Sequence, residues 1–169
     1  MELDEDAWPL DASGLTDGEE LVLWATRSLV AAHGTWAEVK AECRQRLGLI
    51  GGEAAAHALG RFLDTLGRDA RRDLYLHQPH CFCVGATELG LLNLVAASVQ
   101  DPERAETLVR FLVPGDVAAE LLDHARVLAQ ALAVGGLALA PRFAGAELAA
   151  KPMAPAEGPR LTLVATPQP

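Results

Sequence analysis

The sequence predicts an all-α fold: a compact bundle of five or six short helices around one central apolar helix. Three observations carry this expectation. The chain is 50% hydrophobic, but Ala and Leu dominate, aromatics are scarce and Ile50 is the one isoleucine; such a composition favours helices over sheets. Apolar residues recur every three or four positions through most of the chain. Helix start and stop signals punctuate those stretches at helix-sized intervals. A chain of 169 residues can bury one full core, which points to a single domain with arms at its ends.

Residues 1–14 read as an acidic flexible arm, 15–140 as the helical domain and 141–169 as a Pro/Ala-rich tail. In the arm, Trp8-Pro9-Leu10 is the one apolar spot. Thr16 and Glu19 have capping-box spacing and open the first helix, with Leu21, Trp24, Ala25, Ser28, Leu29 and Ala32 on one face and Gly34 at its end. Thr35 and Glu38 repeat the box for a second helix, whose stripe is Trp36, Val39, Cys43 and Leu47 and whose end is Gly48. Cys43 falls on that stripe and is expected in the core, because free cysteine packs as a small hydrophobe. Gly51-Gly52 opens a third helix with Ala55, Leu59, Phe62, Leu63 and Leu66 inward and Gly67 at its end.

Residues 68–85 break the helical period and read as an extended loop with a short strand. Residues 86–99 are apolar nearly all round, the pattern of a buried central helix. Asp101-Pro102 is an N-cap and N1 pair for a fifth helix facing inward with Ala105, Leu108, Val109 and Leu112, stopped by Pro114-Gly115. Asp116 is expected to cap the sixth, whose stripe is Val117, Leu121, Ala125, Leu128, Ala129 and Leu132 and whose end is Gly135-Gly136. The tail holds six of the ten prolines without periodicity, and its Leu161-Thr162-Leu163-Val164 patch reads as a short docking segment.

The formal charge of −9 is unevenly placed. Residues 1–20 carry eight acids and no base, whereas 21–140 carry 13 acids and 11 bases. A nearly neutral domain lacks the clustered positive face that phosphate backbones require, so nucleic acid is not an expected partner. The apolar run at 84–99 contains Glu88 and Asn93 and is shorter than the ~20 residues of a membrane span. An acidic start without an apolar run is not a secretory signal. Three cysteines without a framework suit a reducing compartment, so a cytoplasmic location is expected.

One segment carries unusual chemistry: His77-Gln78-Pro79-His80-Cys81-Phe82-Cys83. Imidazole and thiolate are the ligands zinc and other thiolate-preferring ions take. It precedes a helix N-terminus, where the dipole favours a thiolate at Cys83. The spacing is too tight for all four donors to reach one tetrahedral centre, so a site would draw two or three of His77, His80, Cys81 and Cys83 and a remote ligand such as His124, His57 or Cys43. The other reading is a loop whose Cys81, Phe82 and Cys83 plug the core. Glu53 with His57 and Glu120 with His124 are i,i+4 pairs, read as ordinary helix contacts. Arg68, Arg71 and Arg72 interleave with Asp69 and Asp73 and read as a solvated, self-paired face. No G-x-S-x-G, H-E-x-x-H, P-loop or dinucleotide fingerprint is present, and no catalytic or cofactor-binding residue is assigned.

Residues 25–34 (ATRSLVAAHG) and the passage His80-Cys81-Phe82-Cys83, Thr87-Glu88-Leu89 and Leu91-Leu92 resemble a group of small, uncharacterised alphaproteobacterial helical proteins. In these a Cys-containing loop precedes a helix with an early acidic residue and a leucine-rich body. The resemblance spans about residues 20–112; His77 and His80 around Pro79 depart from it. It implies a cytoplasmic helical domain and no particular mechanism. The function expected from the residues is a non-enzymatic accessory or regulatory domain acting by protein contact, with a protein partner or a second copy. The alternatives are a metal-binding or metal-sensing domain and, behind it, a small enzyme that would set His80 or His124 against a carboxylate such as Glu88.

Overall fold

A computed structural model describes residues 10–31 and 34–142. The chain order is β1 (Leu10–Asp11), a 3-10 turn (Ala12–Gly14), α1 (Asp17–Val30), α2 (Trp36–Asp69), β2 (Cys83–Val84), α3 (Ala86–Gln100), α4 (Pro102–Leu112) and α5 (Gly115–Val134). Among the described residues the fold is all-α apart from one two-residue antiparallel ribbon pairing Leu10 with Val84 and Asp11 with Cys83. The sticky spot at Trp8 and the apolar patch at 161–164 lie outside the described residues.

Both capping boxes form. Thr16 accepts from the Glu19 amide while the Glu19 carboxylate accepts from the Thr16 amide at 2.7 Å, and Thr35 and Glu38 repeat the arrangement. Each box satisfies two amides that a helix start would leave orphaned.

The second and third helices of the sequence reading are two arms of one kinked element. Gly48, with φ +76°, turns the chain inside α2, and the helix resumes at once. Only glycine takes that conformation without strain. The expected stop at Gly67 does not occur; α2 runs on to Asp69. Asp116 does not cap α5 either. The cap position is Pro114, and Asp116 lies in the first turn, where its charge still suits the helix dipole.

α5 packs on α2, α3 and α4, and α1 packs on α2 and α3. α3 buries Leu89, Leu91, Leu92, Leu94, Val95, Ala96 and Ala97, matching the expectation of a central apolar helix. Cys43 is in the main core with Val39, Leu47 and Leu59. Trp24 and Trp36 pack half-buried against it. A smaller cluster of Leu23, Val84 and Leu89 sits between α1, β2 and α3.

The ends of the domain differ from the expected boundaries. Residues 10–14, read as part of the arm, supply β1 and the 3-10 turn. Residues 137–142 cross back over the start of α1, burying Leu139. There Arg142 binds the buried Glu19 carboxylate with Nε at 2.6 Å and donates its backbone N–H to Asn93 Oδ1 at 2.9 Å.

Candidate functional site: a loop clasped on a buried ion pair

The loop from 70 to 85 is long for a small helical domain, so its backbone polar groups need partners. Many come from one side chain. Arg27, on a face of α1 turned away from the main core, is buried and points under the loop. Its Nη1 donates to the Cys81 carbonyl at 2.8 Å, with Gln78 O at 3.5 Å, and Nη2 donates to the Cys83 carbonyl at 2.6 Å. The same guanidinium grips Glu88 in bidentate fashion, Nε–Oε1 at 2.7 Å and Nη2–Oε2 at 2.8 Å. Planar, two-pronged pairing of this kind is what Arg supplies and Lys cannot.

Glu88 is fully buried in the first turn of α3. Besides Arg27 it accepts from the amides of His77 and Gly85, each at 2.8 Å, and from His77 Nδ1 at 2.9 Å. Burial alone would raise its pKa. The Arg27 hydrogen bond and the Gly85 and His77 amides outweigh that penalty and hold the carboxyl below its ordinary range. A carboxylate only accepts, so Nδ1 of His77 is the donor in this contact. The imidazole lies against Gly85, where a Cβ would come within 2.9 Å of the ring. A third tie closes the loop from outside: the Ala12 amide donates to the Phe82 carbonyl at 2.7 Å.

This clasp shows where the singled-out residues go. His77 is part of the network, and its side chain is 38% exposed. His80 is exposed, and Cys81 and Cys83 are half-buried, with the Cys83 amide 3.4 Å from Cys81 Sγ. The residue that plugs the core is Val84. Phe82 does not: it is 80% exposed. The reason is the clasp, which draws the carbonyls of 81 and 83 down onto Arg27 and ties that of 82 to Ala12.

The remote candidates lie in other neighbourhoods. Cys43 is in the main core, its thiol pushed up to about 11 by burial and the nearby Glu42. His57 is exposed, and Glu53 does not pair with it but turns across the kink to Lys40, at 3.2 Å, and Arg44. His124 lies 3.6 Å from Glu120, the i,i+4 contact the sequence suggested, and Glu120 is also bonded to Thr65. Among the described residues no three His, Cys, Asp or Glu side chains converge to hold a metal ion. The donors of the 77–83 segment as folded therefore do not form a tetrahedral set. Of the Arg68–Arg72 cluster, Arg68 pairs with Asp69 at 2.8 Å. No helix among the described residues is long and apolar enough to cross a membrane.

No family model, curated protein or solved structure matches this chain. Arg27 is the site residue that sequence reasoning missed. Its signal was indirect: Glu88 opens a helix that is apolar all round, so its charge needed a buried cation from elsewhere in the chain.

Proposed function

We propose that this is a non-enzymatic protein-interaction domain whose recognition element is the clasped loop, with Phe82 as its anchor. One observation carries the reading: a phenylalanine 80% exposed on a backbone tied at three points to a buried arginine. Solvent exposure of a large aromatic gains nothing for folding. Buried in a partner, it is the kind of residue that dominates binding energy. A loop already fixed loses little entropy on docking, so the affinity of that contact is not spent on ordering. The partner this fits is a folded protein with an apolar socket for one ring, rimmed by groups able to meet His80 and the loop's Gln78.

The test uses the full chain as bait in lysate of its source cell, beside Phe82→Ala and the control Val99→Ala, which alters an exposed residue of α3. A protein retained by wild type and the control but lost with Phe82→Ala, and then bound in purified form with at least about a tenfold difference between the two, supports the reading. Equal recovery with all three baits would overturn it.

A second reading, metal capture by the 77–83 segment, is supported by the Glu88–His77 contact alone. A carboxylate on one imidazole nitrogen is the usual second partner of a metal-binding histidine. It requires Cys81 or Cys83 to swing towards Nε2 of His77. Stoichiometric zinc in the purified protein, lost in a Cys81→Ser/Cys83→Ser variant, would establish it; metal-free protein that also fails to take up added zinc would retire it.

A further inference from the structure

We infer that the end of the molecule where the α2 kink meets the last turn of α5 is a self-association surface, and that its occupant is a second copy of this chain. Leu49, Ile50 and Val134 are exposed by 69%, 86% and 86%. They belong to one end of the fold: a Cβ on Gly135 would overlap Leu47, and one on Gly51 would touch the Ala131 carbonyl. Val127, 47% exposed, continues the patch two turns back along α5.

Two features select a second copy over another occupant. The first is charge. No acid or base occurs in residues 47–52 or 127–136, the two segments that meet here. The nearest charges on α2 are already paired, Arg46 with Glu42 at 2.9 Å and Arg44 with Glu53. A two-fold contact sets the groups near its axis against their own copies, where an unpaired charge would oppose it. The second is area. Three such residues present roughly 400 Å² of mostly apolar surface, the size of the largest patches on single proteins, which are often functional. Doubled by symmetry, about 800 Å² of apolar core fits an interface of about 1,200 Å², since homodimer contacts are about two-thirds apolar. That reaches the lower bound of stable specific interfaces. The surface is distinct from the Phe82 loop, and the inference stands without it.

Sedimentation velocity of the full chain over a wide concentration range tests it, with Ile50→Glu and Val134→Glu as variants. Both side chains are exposed, so the substitutions remove no core contact. Wild type is expected to dimerise, and each variant to raise the dimer dissociation constant about a hundredfold or more with its helical circular dichroism unchanged. A wild type that stays monomeric at every concentration overturns the proposal, as does a dimer that both variants leave intact. A photo-reactive residue in place of Val134 reads the occupant directly. Cross-links between two chains support the proposal; in a monomer, cross-links to residues 143–169 of the same chain overturn it and assign the patch to that segment.

Discussion

At the scale of single residues, the buried Arg27–Glu88 pair ties α1, the 70–85 loop and the start of α3 together. Both groups are desolvated, and each is tolerable only because the other is present. Arg27→Ala leaves Glu88 as a buried carboxylate with amide donors and no cation, so a loss of about 3–5 kcal/mol is expected in urea unfolding. Arg27→Met combined with Glu88→Leu should cost less than either single change, because no charge is stranded. The pH dependence follows from the same contacts. Glu88 and Glu19 both lie below the ordinary 4.5 in the folded protein, burial being outweighed by Arg27 in one and Arg142 in the other. The unfolded chain therefore takes up these protons first on acidification. Their stabilisation is complete above about pH 5 and drains away as pH falls through 4.5 towards the folded values. Thermal melts of Glu88→Gln from pH 7 to 3 should show a lower but flatter profile than wild type. Thiol chemistry separates the cysteines likewise. With its thiol at about 11, Cys43 should stay silent to a thiol reagent that modifies Cys81 and Cys83, and become reactive only on unfolding.

Among the elements, α2 shows what local signals can and cannot convey. Thr35-x-x-Glu38 was legible because a capping box is closed within four residues. Gly48 was legible as a break, but not as a kink within one element, because the outcome depends on how closely the arms approach. That approach is set at Gly52, where a Cβ would lie 2.5 Å from Arg44 backbone atoms; at Gly51 the nearest neighbour would be Leu47 Cβ at an ordinary 3.5 Å. Adjacent glycines should therefore respond with opposite sign. Gly51→Ala is expected to be neutral or to stabilise by up to about 1 kcal/mol through helix propensity. Gly52→Ala must open the kink and should destabilise by about 1–3 kcal/mol. Denaturant midpoints of the two variants decide it, and equal effects would mean the arms are not in contact. The loop at 70–85 marks the opposite limit. Its irregular period was visible in sequence, but its anchor, Arg27, lies more than 50 residues away on an element whose apolar stripe was already accounted for. One reading of the loop turns Phe82 inward, but the loop's anchor lies 54 residues from Cys81 and Phe82 stays exposed.

On the scale of the whole molecule, the two ends of the domain are joined by a strap that composition concealed. Pro141 and the residues after it looked like tail, yet residues 137–142 lie across α1 and α3. Two of the contacts that hold them fall on the start of α1. Arg142 binds Glu19 and the Gly14 carbonyl. At the crossing point the Leu137 carbonyl approaches Gly18 so closely that a Cβ there would sit 2.3 Å away. Gly18 lies inside α1, where alanine alone would favour the helix by about 1 kcal/mol. Gly18→Ala is nonetheless expected to destabilise, because the strap must lift and expose Leu139, which is 4% exposed in the fold. Arg142→Ala should also destabilise, by about 1–3 kcal/mol, since it leaves a nearly buried carboxylate without its cation. If both act by freeing one strap, they cannot add. A double-mutant cycle should then return a coupling of about 1 kcal/mol or more, with the double variant little worse than the poorer single one. Hydrogen exchange would report the same event as lost protection at the start of α1 and around Asn93, with the α2–α5 pairing unaffected. Additive losses would instead show that Gly18 and Arg142 hold separate parts of the chain.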